Sequence, residues 1–156
     1  MRNVLALVAV LLLSACAEGP PISASPDMTF ATLQPIQVNA SALVVVDNYK
    51  PPLRDPNIEH TFHLPPYTAL ARLLNHQLVP SGSANTLRAT IDDASVTRTK
   101  LPQDKGIASY FTLQPTDLLQ AKVLVRFELV APKAPDIALG QASVVAHREK
   151  TLTDGM

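Results

Sequence analysis

The sequence predicts an α+β fold: a four-stranded, largely antiparallel sheet with a helix on one face, in the order β-α-β-β-β. Three observations carry this. Four segments alternate apolar and polar residues at period two, one segment repeats its apolar residues at the helical period, and proline-rich stretches separate them. Of the 156 residues 47% are apolar, with 14 Pro against 5 Gly and no Trp. That is the composition of a globular chain with Pro-rich connections, neither disordered nor fibrous. Thirteen Lys or Arg balance 13 Asp or Glu, so the basic excess that draws a protein to nucleic acid is missing and no nucleic-acid partner is expected.

From Ile36 to Val46 every even position is apolar, while Gln37, Asn39 and Ser41 alternate with them, which is the period of a strand. Leu43 and Val45 break the polar side, so this end is expected to be central in the sheet or covered by the helix. Tyr49 to Leu64 contains Pro51, Pro52 and Pro56 and is expected to run as a surface loop, its Phe62 tucked into the core. Pro65-Pro66 then opens a helical repeat. Ala69 or Leu70, Leu73, Leu74 and Leu78 lie on one side, with Arg72, Asn75 and His76 on the other. Prolines fit a first helical turn, and Val79-Pro80-Ser81-Gly82 stops the helix.

Leu87, Ala89 and Ile91 alternate with Arg88, Thr90 and Asp92, but the next apolar positions, Ala94 and Val96, have the opposite parity. One extra residue repairs such a slip, so a bulge is expected near Asp92-Asp93. After a loop through Pro102, Gly106 and Pro115, the clearest strand runs Leu119, Ala121, Val123, Val125, Phe127, Leu129, with Val125 and Phe127 expected on the covered face and Lys122 outside. Ala131 to Asp136 turns the chain into a last strand, Ile137 to Arg148. One helix is a thin cover for four strands, so either this is a shortened form lacking a second, C-terminal helix or a partner is expected to cover part of an apolar face.

The N-terminus carries a different kind of signal. Met1-Arg2-Asn3 is a short positive start, Val4 to Leu13 is uncharged and apolar, and Ser14-Ala15 supplies the small residues a signal peptidase accepts. The apolar run falls well short of the roughly 20 residues a membrane-spanning helix needs, so it reads as an export signal. Cys16 is the only cysteine, and an unpaired thiol is a liability in an oxidising compartment. The expected organisation is a removed signal peptide at 1–15, a lipidated Cys and flexible tether at 16–30, and a single α+β domain at 31–156. The tether contains Gly19, Pro20, Pro21 and Pro26, and too little apolar surface to offset its ordering entropy.

Leu13-Ser14-Ala15-Cys16 resembles the lipobox of bacterial lipoproteins. The resemblance implies that the Cys16 thiol carries diacylglycerol, that the signal is cut before it, and that the new amine is acylated. Two or three acyl chains hold a protein on a bilayer, whereas one does so only marginally. Ala17 follows the cysteine, which in that family implies delivery to the periplasmic face of the outer membrane, with the inner membrane as the alternative. Size, lipobox and element order are together similar to the lipopolysaccharide-assembly lipoproteins and the auxiliary lipoproteins of ABC-type lipid transporters. That likeness implies a β-α-β-β-β-α domain that plugs, scaffolds or docks without catalysing a reaction, with an envelope protein or a second copy as partner. No residue motif maps across.

Residues able to do chemistry are sparse. Glu59-His60-Thr61-Phe62-His63 offers three potential metal ligands, joined by Asp92 or Asp93 if the fold brings them near. Flanking prolines make the segment a loop without a fixed face for both imidazoles, so a solvated loop is the competing reading. Asp92-Asp93 could form a carboxylate pair, but neighbours in a regular strand point to opposite faces. There is no Gly-x-Ser-x-Gly elbow and no glycine-rich phosphate loop. Tyr110-Phe111, beside Gly106, reads either as a cap on the sheet or as an anchor for a partner. The expected protein is a non-enzymatic, membrane-anchored accessory or scaffold of envelope assembly or lipid transport, without cofactor. The alternative is a small periplasmic ligand-binding, metal-binding or hydrolytic domain using the His60/His63 loop.

Overall fold

The structure, a computed structural model, describes residues 30, 32–103, 106 and 113–153. Its elements are β1 (Ile36–Val38), β2 (Ala42–Asp47), a single 3-10 turn (Glu59–Thr61), α1 (Pro66–Gln77), β3 (Leu78–Pro80), β4 (Thr86–Lys100), β5 (Pro115–Ala131) and β6 (Ala134–Thr153). β1 and β3 form a small parallel pair, and β2-β4-β5-β6 form the main sheet. In that sheet β2 runs parallel to β4, while β4, β5 and β6 are successively antiparallel. The expected mixed fold with a mostly antiparallel four-stranded sheet and one helix is present. The order β-α-β-β-β is not, because one strand is divided and another follows the helix directly.

The division falls at Asn39-Ala40-Ser41. The Ala40 N–H turns back to the Val38 carbonyl at 2.8 Å, and the Ser41 N–H donates to the Asn85 carbonyl at 2.9 Å. This kink moves the chain from the small sheet into the large one and resets the side-chain phase. In β2 it is Leu43 and Val45 that pack on the core, whereas Val44 and Val46 are 45% and 37% exposed. The even-numbered phase expected over the whole stretch therefore fails beyond Ala40. β2 is an edge strand, and its inward residues are covered by the helix. The kink also requires Gly82: a Cβ there would collide with Asn39 Oδ1 and come within 2.8 Å of the Ala40 nitrogen.

α1 begins with proline in its first turn, where the missing N–H costs no helical bond. It ends one residue short of the expected Leu78. Leu78, Val79 and Pro80 turn extended and pair with Ile36, Gln37 and Val38, since a β-branched residue followed by proline is driven out of the helical region. The helix buries Leu74 against Ala89, Ile91, Ala94 and Val125, with Tyr67, Leu70, Val123 and Phe127 packed around them. Ile91 is wholly buried, a burial worth about 1.5–3 kcal/mol.

The register of β4 against β5 shifts between Ile91 and Asp93, the bulge that the slip in alternation predicts. β5 and β6 are 17 and 20 residues long, longer than expected, and are joined through Pro132-Lys133. Their far ends are tied down by the Thr116 hydroxyl, which donates to the Leu152 carbonyl at 3.3 Å, and by a two-pronged Arg98–Asp117 pair at 2.8 and 2.9 Å.

α1 packs on β2 and β4. A helix about 10–12 Å across covers only about two to three strands spaced 4.8 Å apart; it reaches Val125 in the middle of β5, and the helix-facing side of β6 is left open. Along β6, Val144 stands opposite Val125 on this side and is 53% exposed, while its neighbour Val145, opposite Leu124, is exposed on the other side. The opposite side of the sheet carries charge pairs: Arg88 with Glu128, Arg126 with Asp92, and Lys122 with Asp93.

Candidate functional site

Where α1 stops covering the sheet, an apolar groove of about 500 Å³ opens between them. Pro66, Ala69, Leu70 and Leu73 form the helix wall, and Val96, Leu119 and Ala121 form the floor on β4 and β5. Phe62 and Leu64 from the loop, and Phe30 from the chain entering the domain, contribute further apolar surface. Phe30 is the last residue assigned to the tether, and here it is part of a site. Phe62 is 41% exposed at this groove rather than tucked into the core. The space beneath its loop is taken by Tyr49, which packs on the core cluster, and by the buried Glu59.

β6 closes the remaining side with Arg148, Glu149 and Lys150. Arg148 and Lys150 stand opposite Ala121 and Leu119 in the ladder, so they share the helix-facing side with the groove floor. Neither has an ion-pair partner among the described residues. The Glu149 carboxylate is engaged elsewhere, accepting from Gln120 Nε2 at 2.6 Å and lying 3.4 Å from His147 Nε2. The groove is thus apolar along its helix, loop and floor, and cationic along one strand.

Next to the floor lies a buried carboxylate. Glu59 has no exposed surface. It accepts from the Tyr49 hydroxyl at 2.6 Å, the Val96 N–H at 3.2 Å and Asn57 Nδ2 at 3.3 Å. Burial alone pushes its pKa up, but these donors outweigh burial and hold it below the ordinary carboxylate value. Burial and the adjacent Glu59 charge drive the Tyr49 hydroxyl in the other direction, well above its ordinary value. Glu59 therefore stays ionised and works as a clamp, fixing the proline-rich loop to the strand that floors the groove.

The metal cluster of the alternative reading does not assemble among the described residues. Glu59 is consumed by the clamp, His60 and His63 are exposed, and among the described residues no group of three or more His, Cys, Asp or Glu could hold a metal ion. Asp92 and Asp93 correct a second expectation. They do not point to opposite faces, because the bulge turns both carboxylates toward the same side of β5, where they meet Arg126 and Lys122 at 3.0 and 2.9 Å. Each is neutralised separately. Hydrogen bonds from Asn48 and Arg126 hold Asp92 below its ordinary pKa; Asp93 is raised by burial but lowered more by Lys122 and Ser95.

Cys16 and the Tyr110-Phe111 pair lie outside the described residues. Among those described, no helix is long and apolar enough to cross a membrane. No protein-family model matches the chain and no curated protein is similar to it. Three site features escaped the sequence reading: the role of Glu59, its partner Tyr49, and the Arg148/Lys150 pair. Arg148 was legible only as the end of the expected last strand and Lys150 lay beyond it, and nothing in the sequence marks that both face the helix side.

Proposed function

We propose that the protein is a non-enzymatic lipoprotein, anchored through Cys16 to the periplasmic face of the outer membrane, that acts by contact as an accessory or scaffold of envelope assembly or lipid transport. The observation that carries this reading is the unfinished cover of the sheet: one helix leaves β6 and the Leu119–Ala121 end of β5 unshielded, and an apolar groove and the exposed Val144 lie beside it. The carboxylates nearest to a catalytic arrangement support it as well, since Glu59, Asp92, Asp93 and Asp117 are each held by structural hydrogen bonds or ion pairs. The lipobox supplies the anchor. Fractionation of cells making the Cys16→Ser chain tests it: membrane association and detergent partitioning should both be lost, and retention of both refutes the anchor. Cross-linking of the lipidated chain in intact cells tests the contact. An envelope protein or a second copy should be captured, and a charge at Val144 should abolish capture while the thermal midpoint holds; a monomer with no cross-link refutes it.

A further inference from the structure

We infer that the groove between α1 and the sheet binds a single acyl chain of an anionic membrane lipid, with Arg148 and Lys150 holding its charged headgroup. Four observations carry this. The helix, loop and floor residues of the groove are uniformly apolar, so nothing there would compensate the buried polar groups of a sugar, nucleotide or peptide backbone. Its volume, about 500 Å³, lies in the range of roughly 300–1,000 Å³ typical of small-molecule sites. Charge is confined to the β6 side, where Arg148 and Lys150 share the groove-facing side of the strand and have no anionic partner among the described residues.

A body that is apolar and one margin that is cationic is the complement of an amphiphile. An amphipathic helix carries polar groups along both of its margins, and the α1 side of this groove has none to offer them. The fourth observation is positional. Phe30 lines the groove and is fourteen positions in sequence from Cys16. Proximity to the bilayer through that cysteine rests on the anchoring proposed above, whereas the chemistry of the groove does not.

The chain from residue 16 onward, with Cys16→Ser so that it carries no lipid of its own, is titrated calorimetrically with decanoate, dodecanoate, tetradecanoate and hexadecanoate below their micelle concentrations. Saturable binding of one chain per protein is expected, tightening about tenfold for each two methylenes added. The methyl ester of hexadecanoate should bind several-fold more weakly than the acid. Arg148→Glu with Lys150→Glu, at the edge strand, should weaken the acid at least tenfold and leave the ester unchanged; Leu73→Glu should abolish both. Absence of saturable hexadecanoate binding overturns the inference, as does binding that ignores chain length or the β6 charge reversal. A chain that refuses hexadecanoate, while Leu73→Glu removes its cross-links in cells, assigns the groove to a protein helix and also overturns it. Because the titrated chain carries no lipid, its result stands apart from the fractionation that tests the anchor.

Discussion

Replacing Glu59 by glutamine probes the clamp that shapes the groove floor. The carboxylate accepts at both oxygens: Oε1 takes the Tyr49 hydroxyl, and Oε2 takes the Val96 N–H. An amide can accept at only one. In Glu59→Gln the single amide oxygen can serve only one of these donors, so either the Val96 N–H or the Tyr49 hydroxyl hydrogen loses its acceptor, at a cost of about 1–3 kcal/mol. The Tyr49 bond also loses its charge assistance, while the neutral amide is cheaper to bury. We expect a net loss of about 2 kcal/mol, a large fraction of the roughly 5–15 kcal/mol that holds a domain of this size. The pH dependence is more diagnostic. Glu59 titrates lower in the folded chain than its ordinary value of 4.5. Its contribution is therefore complete above that value and is lost as pH falls through the lower folded pKa. Urea unfolding of both proteins from about pH 7 to about pH 3 should give a parent-minus-variant difference that is constant at neutral pH and shrinks below about pH 4.5. Asp92, Asp93 and Asp117 are also held low and make both proteins weaken in acid, so the difference carries the information. Equal stability at neutral pH, or a difference that stays flat into acid, would refute the clamp.

The other expectations are simpler. Gly82→Ala should lower the thermal midpoint by several degrees, because its Cβ meets the Asn39-Ala40 backbone rather than a flexible side-chain tip; an unchanged midpoint would mean that the kink between β1 and β2 moves freely. Phe127→Ala should cost about 3 kcal/mol in urea unfolding, at the low end for a phenylalanine because the ring is only partly buried beside the core cluster. Lys122→Ala, which removes a half-exposed partner of Asp93, should cost less than about 1 kcal/mol, and equal effects would overturn the assigned strand phase. Tyr49→Phe should destabilise by about 1–3 kcal/mol, and combined with Glu59→Gln the two losses should not add, since both break the same bond; full additivity would show that Tyr49 and Glu59 act independently.

What the sequence revealed depended on whether periodicity alone decided the structure. β5 was legible because every odd position from Leu119 to Leu129 is apolar and only Leu124 interrupts the polar side, and the β4 bulge because the parity of Ala94 and Val96 contradicts that of Ala89 and Ile91. β1 and β2 were not separable. Both halves of Ile36 to Val46 can be read in one phase, and the kink that divides them is imposed by a distant glycine and by backbone bonds to Ala84 and Asn85. β3 was hidden for a related reason, since three residues after a helix have no periodicity, and the pairing with β1 that makes them a strand is a tertiary fact. The groove was legible only as a deficit, too little helix for too much sheet. Its cationic side was not, because assigning Arg148 and Lys150 to the helix-facing side requires the register of β6 on β5. Glu59 was legible only as a potential ligand beside two histidines, and its structural role appears once the packing shows it enclosed.

The bulge at Asp92 links these features. On its N-terminal side Ala89 and Ile91 face α1; on its C-terminal side Ala94 and Val96 do. Without the extra residue the second half of β4 would present Asp93, Ser95 and Thr97 to the helix, and the groove floor would be polar. The Val96 N–H that Glu59 accepts would also change sides with its residue, since alternation governs backbone and side chain together. One inserted residue therefore sets three things at once: an apolar floor, the seat of the buried carboxylate, and the placement of both aspartates on the far side, where Arg126 and Lys122 neutralise them. The apparent acid pair and the apolar groove are two consequences of the same phase shift. This is why the aspartates are better understood as the means of building the site than as a site themselves.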